Sequence, residues 1–307
     1  MKPHETKKTL SLNEARNYII AMSKPMGEAV ELIEMNVKKI NEVKEQCRLF
    51  DVDIERFQAE LKFKGFDREV KPLNYPMTVC ADTACKKYVN VGMSRERETI
   101  YPQICHDHCS IRGVPVETTN NEQLHECAAM SNGTCHHCGH NYRTHMHITY
   151  STTLVEKEFL SSDAQSKIAE KTNLKDQKES FIANLERSIK ELQDEKEFIY
   201  ECAGRFGVFL KENAMIPYND SFKEYLDMLI RDEEAREQEI RDDEKIAQLK
   251  KDKKTYEQKK KIIMENIQSG CQGGENLISI EAIYKMKEKL CRLKHNGEAL
   301  RKALGTL

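Results

Sequence analysis

Tryptophan is absent and aromatic residues supply only 7% of the 307-residue sequence. With 39% hydrophobic residues and a mean hydropathy of −0.70, little is available to fill one large globular core. Such a mixture fits long solvated helices with narrow apolar seams. No window approaches ~18 consecutive apolar residues, which excludes a transmembrane helix. The first 30 residues lack the apolar stretch and small-residue cleavage site of a secretory signal. Charged residues at 33% then point to a reducing compartment, the cytoplasm, with the nucleus left open. A formal net charge of −2 gives no global pull toward nucleic acid or anionic membrane. Also missing are a GxxxxGK[ST] phosphate loop, a GxGxxG fingerprint and an HExxH helix. No catalytic constellation is left, and the chain is expected not to be an enzyme.

What is present is a concentration of metal-binding side chains. Seven of the 11 cysteines and eight of the 10 histidines fall between Cys80 and His147. Thiolate and imidazole are the ligands Zn²⁺ prefers at tetrahedral geometry. The close pairs Cys80/Cys85, Cys105/Cys109 and Cys135/Cys138 suit it, because one tight turn offers two sulfurs. Seven is an odd number for a disulfide framework, and a catalytic thiolate would not stay free among so many ligands. Asn132-Gly133-Thr134, formally a glycosylation sequon, reads as a turn in a reducing compartment.

Ten ligands are expected: Cys80, Cys85, Cys105, Cys109, Cys127, Cys135, Cys138, His140, His145 and His147, with His106 as an eleventh. Two closed tetrahedral zinc ions would use eight of them, a structural role that supplies the folding energy of a polar segment. One division gives the first ion Cys80, Cys85, Cys105 and Cys109. The second ion then takes Cys127, Cys135 or Cys138, and two of the later histidines. Cross-braced sharing of alternate pairs is the other division. His145 and His147, two apart, share a face if the segment is a strand, and Gly139 suits a tight knuckle turn. His108, His125, His136 and His137 fall outside the ligand set.

Along the chain, residues 1–10 are polar and Ser11-x-x-Glu14 reads as a capping box opening a helical segment over 11–66. Pro25 should kink or break it; a long amphipathic helix over 26–63 follows, its face carried on by Ile54, Phe57 and Leu61. Residues 67–76, with Pro72 and Pro76, read as an extended linker into a Cys/His module over 76–150. Acids and bases nearly balance in that module, which disfavours a nucleic-acid finger. A helical region is expected over 154–305. Ile182, Leu185, Ile189, Leu192, Lys196, Ile199, Ala203, Phe206 and Leu210 form a seam with 3-4 spacing. A turn at Pro217–Asp220 leads to a second long helix from Phe222, whose basic run at 250–261 reads as a solvated helix end. Gly270, Gly273 and Gly274 end it, and Ser279 caps the last helix. The expected fold is mainly α: long amphipathic or coiled-coil helices, folded as a hairpin, with a small zinc-stabilised α+β module inserted.

The segments SLNEARNYIIAMSKPM, YPQICHDHC and TCHHCGHNYRTHMHITY, in that order, resemble an uncharacterised family of large eukaryotic proteins. In that family a P-loop guanine-nucleotide-binding domain, of the avirulence-induced or septin-like sort, comes first. A segment like residues 11–66, a Cys/His module and a coiled coil follow it. The resemblance implies metal ligation by Cys80, Cys85, Cys105, Cys109, Cys127, Cys135, Cys138, His145 and His147, and brings no substrate or partner. No phosphate loop precedes Ser11, so no GTP chemistry transfers. A short family member or a truncated gene model is expected. The expected function is a non-enzymatic zinc-binding scaffold whose coiled-coil helices bind protein partners or a second copy as a homodimer. A RING/B-box-like ubiquitin ligase is the alternative, supported by Cys105-His106-x-x-Cys109 and opposed by the Cys80-x4-Cys85 opening and the single CxxC.

Overall fold

The computed structural model describes residues 12–49, 62–92, 97–111, 118–170, 173–213, 220–238, 241–268 and 278–305. The cap at Ser11, the apolar face of Ile54, Phe57 and Leu61, the start of the turn at Pro217 and the glycines at 270, 273 and 274 lie outside them.

Leu12–Leu49 forms one 38-residue helix, α1, which runs through Pro25 without the expected break. A proline inside a helix costs about 3 kcal/mol. Burying each of Ile19, Met22, Met26, Val30 and Ile33 returns about 1.5–3 kcal/mol, so the stripe outweighs the missing hydrogen bond.

The larger departure follows. The segment from Lys64, expected to finish a helix and continue as a linker, is the 17-residue strand β1, Lys64–Cys80. Its antiparallel partner is β7, His145–Glu158, with register Lys64↔Glu158 through Pro72↔Tyr150 and again Met77↔Ile148 through Cys80↔His145. The register shifts between Pro72 and Met77, around the two prolines, which lack the N–H that a ladder needs. On α1, buried Asn36 accepts from the Phe66 amide (2.7 Å) and donates to the Phe66 carbonyl (2.9 Å), satisfying backbone groups of β1. β7 also carries the chain in strand to Glu158, past the point where helix was expected to resume.

Between these strands lie β2 (Lys87–Asn90), β3 (Arg97–Ile100), β4 (Ile104–His106), β5 (Met130–Ser131) and β6 (Thr134–Cys135). β4 adds to β1, giving the sheet order β4-β1-β7; β2 pairs with β3 and β5 with β6. The β5–β6 turn is Asn132-Gly133, with φ of 49° and 78°, the pair of left-handed residues that a two-residue hairpin turn requires.

Helices α2 (Ser162–Ala169), α3 (Leu174–Glu212), α4 (Ser221–Glu234), α5 (Asp243–Gln268), α6 (Ile280–Leu290) and α7 (Gly297–Leu304) complete the chain. Among the described residues helix accounts for 59% and strand for 19%, so the mainly-α, coiled-coil expectation is overturned in favour of a mixed fold. The seam of α3 is buried at Leu185, Leu192, Ile199, Ala203, Phe206 and Leu210. It does not zip against one helix: its core includes residues of α1, α4, α5, α6 and α7. Gly204 lets α5 approach, since a Cβ there would sit 2.9 Å from Ile263.

The expected second long helix is two. After α4 the chain turns, Asp242 caps α5 through the Lys245 amide (2.9 Å), and α5 returns antiparallel to α4. Ion pairs Glu234–Lys250 (2.7 Å), Asp227–Lys253 (2.5 Å), Lys223–Glu257 (3.2 Å) and Asp220–Lys260 (2.5 Å) mark that register. The lysine run therefore largely faces acids of this chain. No described helix is long and apolar enough to cross a membrane.

Candidate metal centre

Strand alternation builds the centre. Thr78 on β1 pairs with His106 on β4 and with His147 on β7, and Cys80 pairs with His145. These residues share one face of the sheet. Val79, Met146 and Ile148 take the opposite face and form a cluster with Ala81 and with Tyr225 and Met228 of α4. One face is thus given to ligands and the other to a helix.

The remaining ligands arrive on turns. A turn at Asp82, whose carbonyl accepts the Cys85 amide (3.0 Å), returns Cys85 toward Cys80. The Cys109 amide donates to Pro76 O (2.8 Å), tying that loop to β1. A 3₁₀ turn at Glu122–Glu126, capped by Asn121, delivers Cys127. The Cys135–Cys138 knuckle closes through the Gly139 amide onto Cys135 O (2.9 Å), with Gly139 at φ 74°.

Among the described residues three groups of side chains result, each able to hold a metal ion. Cys80, Cys85, Cys138 and His140 form the first; Cys105, Cys135, Cys138 and His145 the second; His106, Cys109 and Cys127 the third. The division that puts Cys80/Cys85 with Cys105/Cys109 does not match; the first group follows the cross-braced division in joining Cys80/Cys85 to Cys138 past the intervening pair, but Cys105 and Cys109 separate and Cys138 serves two groups. His147 joins none of the three, although the β1–β7 register puts it on the ligand face of the sheet. His108, His125, His136 and His137 are exposed.

The spacings fit a tetrahedral ion. Bonds of ~2.3 Å to sulfur and ~2.0 Å to nitrogen imply S···S edges of about 3.8 Å and S···N edges of about 3.5 Å. Cys105–Cys138 and Cys109–Cys127 are each 3.8 Å apart. Sulfur-to-imidazole distances are 3.4 Å for Cys85–His140, 3.6 Å for Cys80–His140, 3.3 Å for Cys138–His145 and 3.2 Å for Cys127–His106. Disulfides are ruled out at 3.8 Å, against a bond of about 2.05 Å.

Neighbouring groups orient the imidazoles as metal ligands require. His145 Nδ1 lies 2.9 Å from the Asn141 carbonyl, leaving Nε2 facing Cys138. His140 turns Nδ1 to the sulfurs and Nε2 to Asp82, 3.4 Å away. Burial pulls the His145 pKa down, which favours the neutral ligand form. It also pushes the Cys80, Cys85 and Cys105 thiols up, a cost that a divalent cation offsets. The hydrogen bond from Cys127 holds Cys109 well below the usual thiol range. His147 Nδ1 is buried without a hydrogen-bond partner, a donor-set atom still wanting a ligand.

Asp82 and Asn141 escape sequence reading because neither matches a ligand type that clusters. Asn141 has a local signal, as the cap of the 3₁₀ turn Tyr142–Thr144. His106 gains its place through the ladder with Thr78, which spacing does not reveal.

No curated protein and no solved structure matches the chain. Residues 72–151, which enclose all of these ligands, match a family described as a domain of unknown function (DUF8206).

Proposed function

We propose that the chain is a non-enzymatic, zinc-stapled scaffold, in which metal holds the β4-β1-β7 plate and its loops in a fixed pose on the helical layer. The observation that carries this reading is the closed character of the ligand sets. Two of them offer four protein donors each, Cys138 being common to both, and with that sulfur shared neither has a position left for a substrate or an activated water. The donor set of thiolate and imidazole selects zinc over magnesium or calcium, which prefer oxygen. The plate's reverse face packs Val79, Met146 and Ile148 against Tyr225 and Met228, so ordering the ligand face also fixes where the module stands on α4. The helical layer with this plate would then present surfaces to protein partners.

Chelation tests this reading. On removing zinc from the reduced chain, proteolysis should open the segment over 76–150 while most helical circular dichroism remains. Unchanged protease resistance after verified metal removal would defeat the stapling role. Zinc-dependent discharge of ubiquitin from a conjugating enzyme by the purified chain would establish the ligase reading instead.

A further inference from the structure

We propose that the centre holds three metal ions, two of them joined by the thiolate of Cys138 as a bridging ligand, with the third on His106, Cys109, Cys127 and His147. This rests on the zinc reading above and adds to it the number of ions and their connection.

Cys138 Sγ is the one donor common to two four-membered groups. It lies 3.8 Å from Cys105 and 3.3 Å from His145 Nε2 in one group, and within 4.8 Å of Cys80, Cys85 and His140 in the other. Three tetrahedral ions need twelve coordination positions, and eleven side chains stand here. One shared sulfur makes up the difference, and Cys138 is where the two sets meet.

Charge points the same way. A separate Cys₃His site carries −1 with each divalent ion, so two such sites would bury −2 side by side. Five thiolates, from Cys80, Cys85, Cys105, Cys135 and Cys138, leave two divalent ions at −1. Sharing lowers the buried charge, which is the expensive quantity in a site where four of the seven donors, Cys80, Cys105, Cys135 and His145, are buried.

His106 Nδ1 and Cys109 Sγ stand 3.2 and 3.8 Å from Cys127 Sγ, at tetrahedral edge lengths. A trio leaves a fourth position, and His147 lies on the same sheet face with its Nδ1 buried and unpartnered. Two thiolates and two neutral imidazoles balance a divalent ion. His147 is 3% exposed and its register places it across Thr78 from His106, on the ligand face.

The test is ¹¹³Cd NMR of the full chain after exchanging its metal for ¹¹³Cd²⁺. Three resonances are expected, two of them split by mutual ¹¹³Cd–¹¹³Cd coupling through the bridging sulfur. The third should be uncoupled and more shielded, having two sulfur ligands rather than three. Bound cadmium with no coupled pair would overturn the bridge, and two resonances in all would overturn the third ion. Absence of any bound cadmium would instead remove the zinc reading itself. Stoichiometry of variants gives a second readout: Cys138→Ala should drop bound zinc from three to one, and Cys109→Ala from three to two. Retention of two ions by Cys138→Ala would contradict the bridge.

Discussion

Cys80 and His145 face each other across the β1–β7 ladder, yet they serve different ligand groups. Cys80 joins Cys85, Cys138 and His140, whereas His145 joins Cys105, Cys135 and Cys138. Strand register therefore sets where the two groups stand relative to each other. A slip of one residue would turn Cys80 and His145 to the face that packs on α4, and bring Val79 and Met146 among the ligands.

Register and metal should accordingly stabilise each other. Amide hydrogen exchange over Thr78–Cys80 and His145–Ile148 is expected to be slow in the zinc-loaded chain and to accelerate by at least tenfold after chelation. Leu185–Ile199 of α3 should change little. Equal acceleration in both regions would show that plate and helices unfold as one unit.

Gly27 on α1 meets Tyr225 on α4 so closely that a Cβ would lie 2.3 Å from the ring. Gly27→Ala should therefore destabilise by about 1–3 kcal/mol despite the better helix propensity of alanine. In a Tyr225→Ala background the same change should cost much less, a coupling of about 1 kcal/mol or more in a double-mutant cycle read by denaturant unfolding. Additive effects would mean that the two helices do not meet at this point.

Lys196 is the one charge in the α3 seam, and it bridges Glu34 of α1 and Asp252 of α5. Asp252 is 2% exposed, so Lys196→Met would strand a buried carboxylate, at a cost of about 3–5 kcal/mol. Lys196→Met combined with Asp252→Leu should recover most of that loss. Thermal melts of the single and double variants check the ordering, and a double variant no better than the single would refute it.

Acid stability should divide two neighbouring glutamates. Burial raises the pKa of Glu31, but Lys245 (2.6 Å) and Arg68 (3.4 Å) outweigh it, and the net shift is downward from 4.5. Its contribution to stability is thus present above pH 4.5 and is lost as pH falls through the lowered value. Glu98 goes the other way. Burial dominates over the hydrogen bond from the Leu154 amide and the charge of Arg68, so its pKa is raised and its ionised form weakens the fold above pH 4.5. Glu31→Gln should destabilise at pH 7 and flatten the acid limb of the stability curve. Glu98→Gln should leave neutral stability unchanged or improved. Urea midpoints across pH 3–8 provide the comparison, and the same sign for both variants at pH 7 would contradict it.

How much of this was legible follows from the range of each signal. The α3 seam is visible because 3-4 spacing is local, and its burial at Leu185, Leu192 and Ile199 agrees with the pattern. The Cys/His cluster is visible because ligand types crowd within one stretch. Its partition is not, since Cys80 and His145 meet through a ladder joining positions 65 residues apart, and register is a property of the folded sheet. β1 stays hidden for a chemical reason. Pro72 and Pro76 argue against a ladder, and only the folded chain shows the register shift at that point. The break between α4 and α5 is obscured in the same way by a continuous run of good helix formers, which hides the turn that Asp242 caps.

The most direct test of the account is the metal content of the purified, reduced, folded chain, measured by inductively coupled plasma mass spectrometry. Zinc in more than one equivalent per chain is predicted, as the three groups of thiolate and imidazole donors require. A well-folded sample that contains no bound metal and takes up none on adding zinc would contradict it.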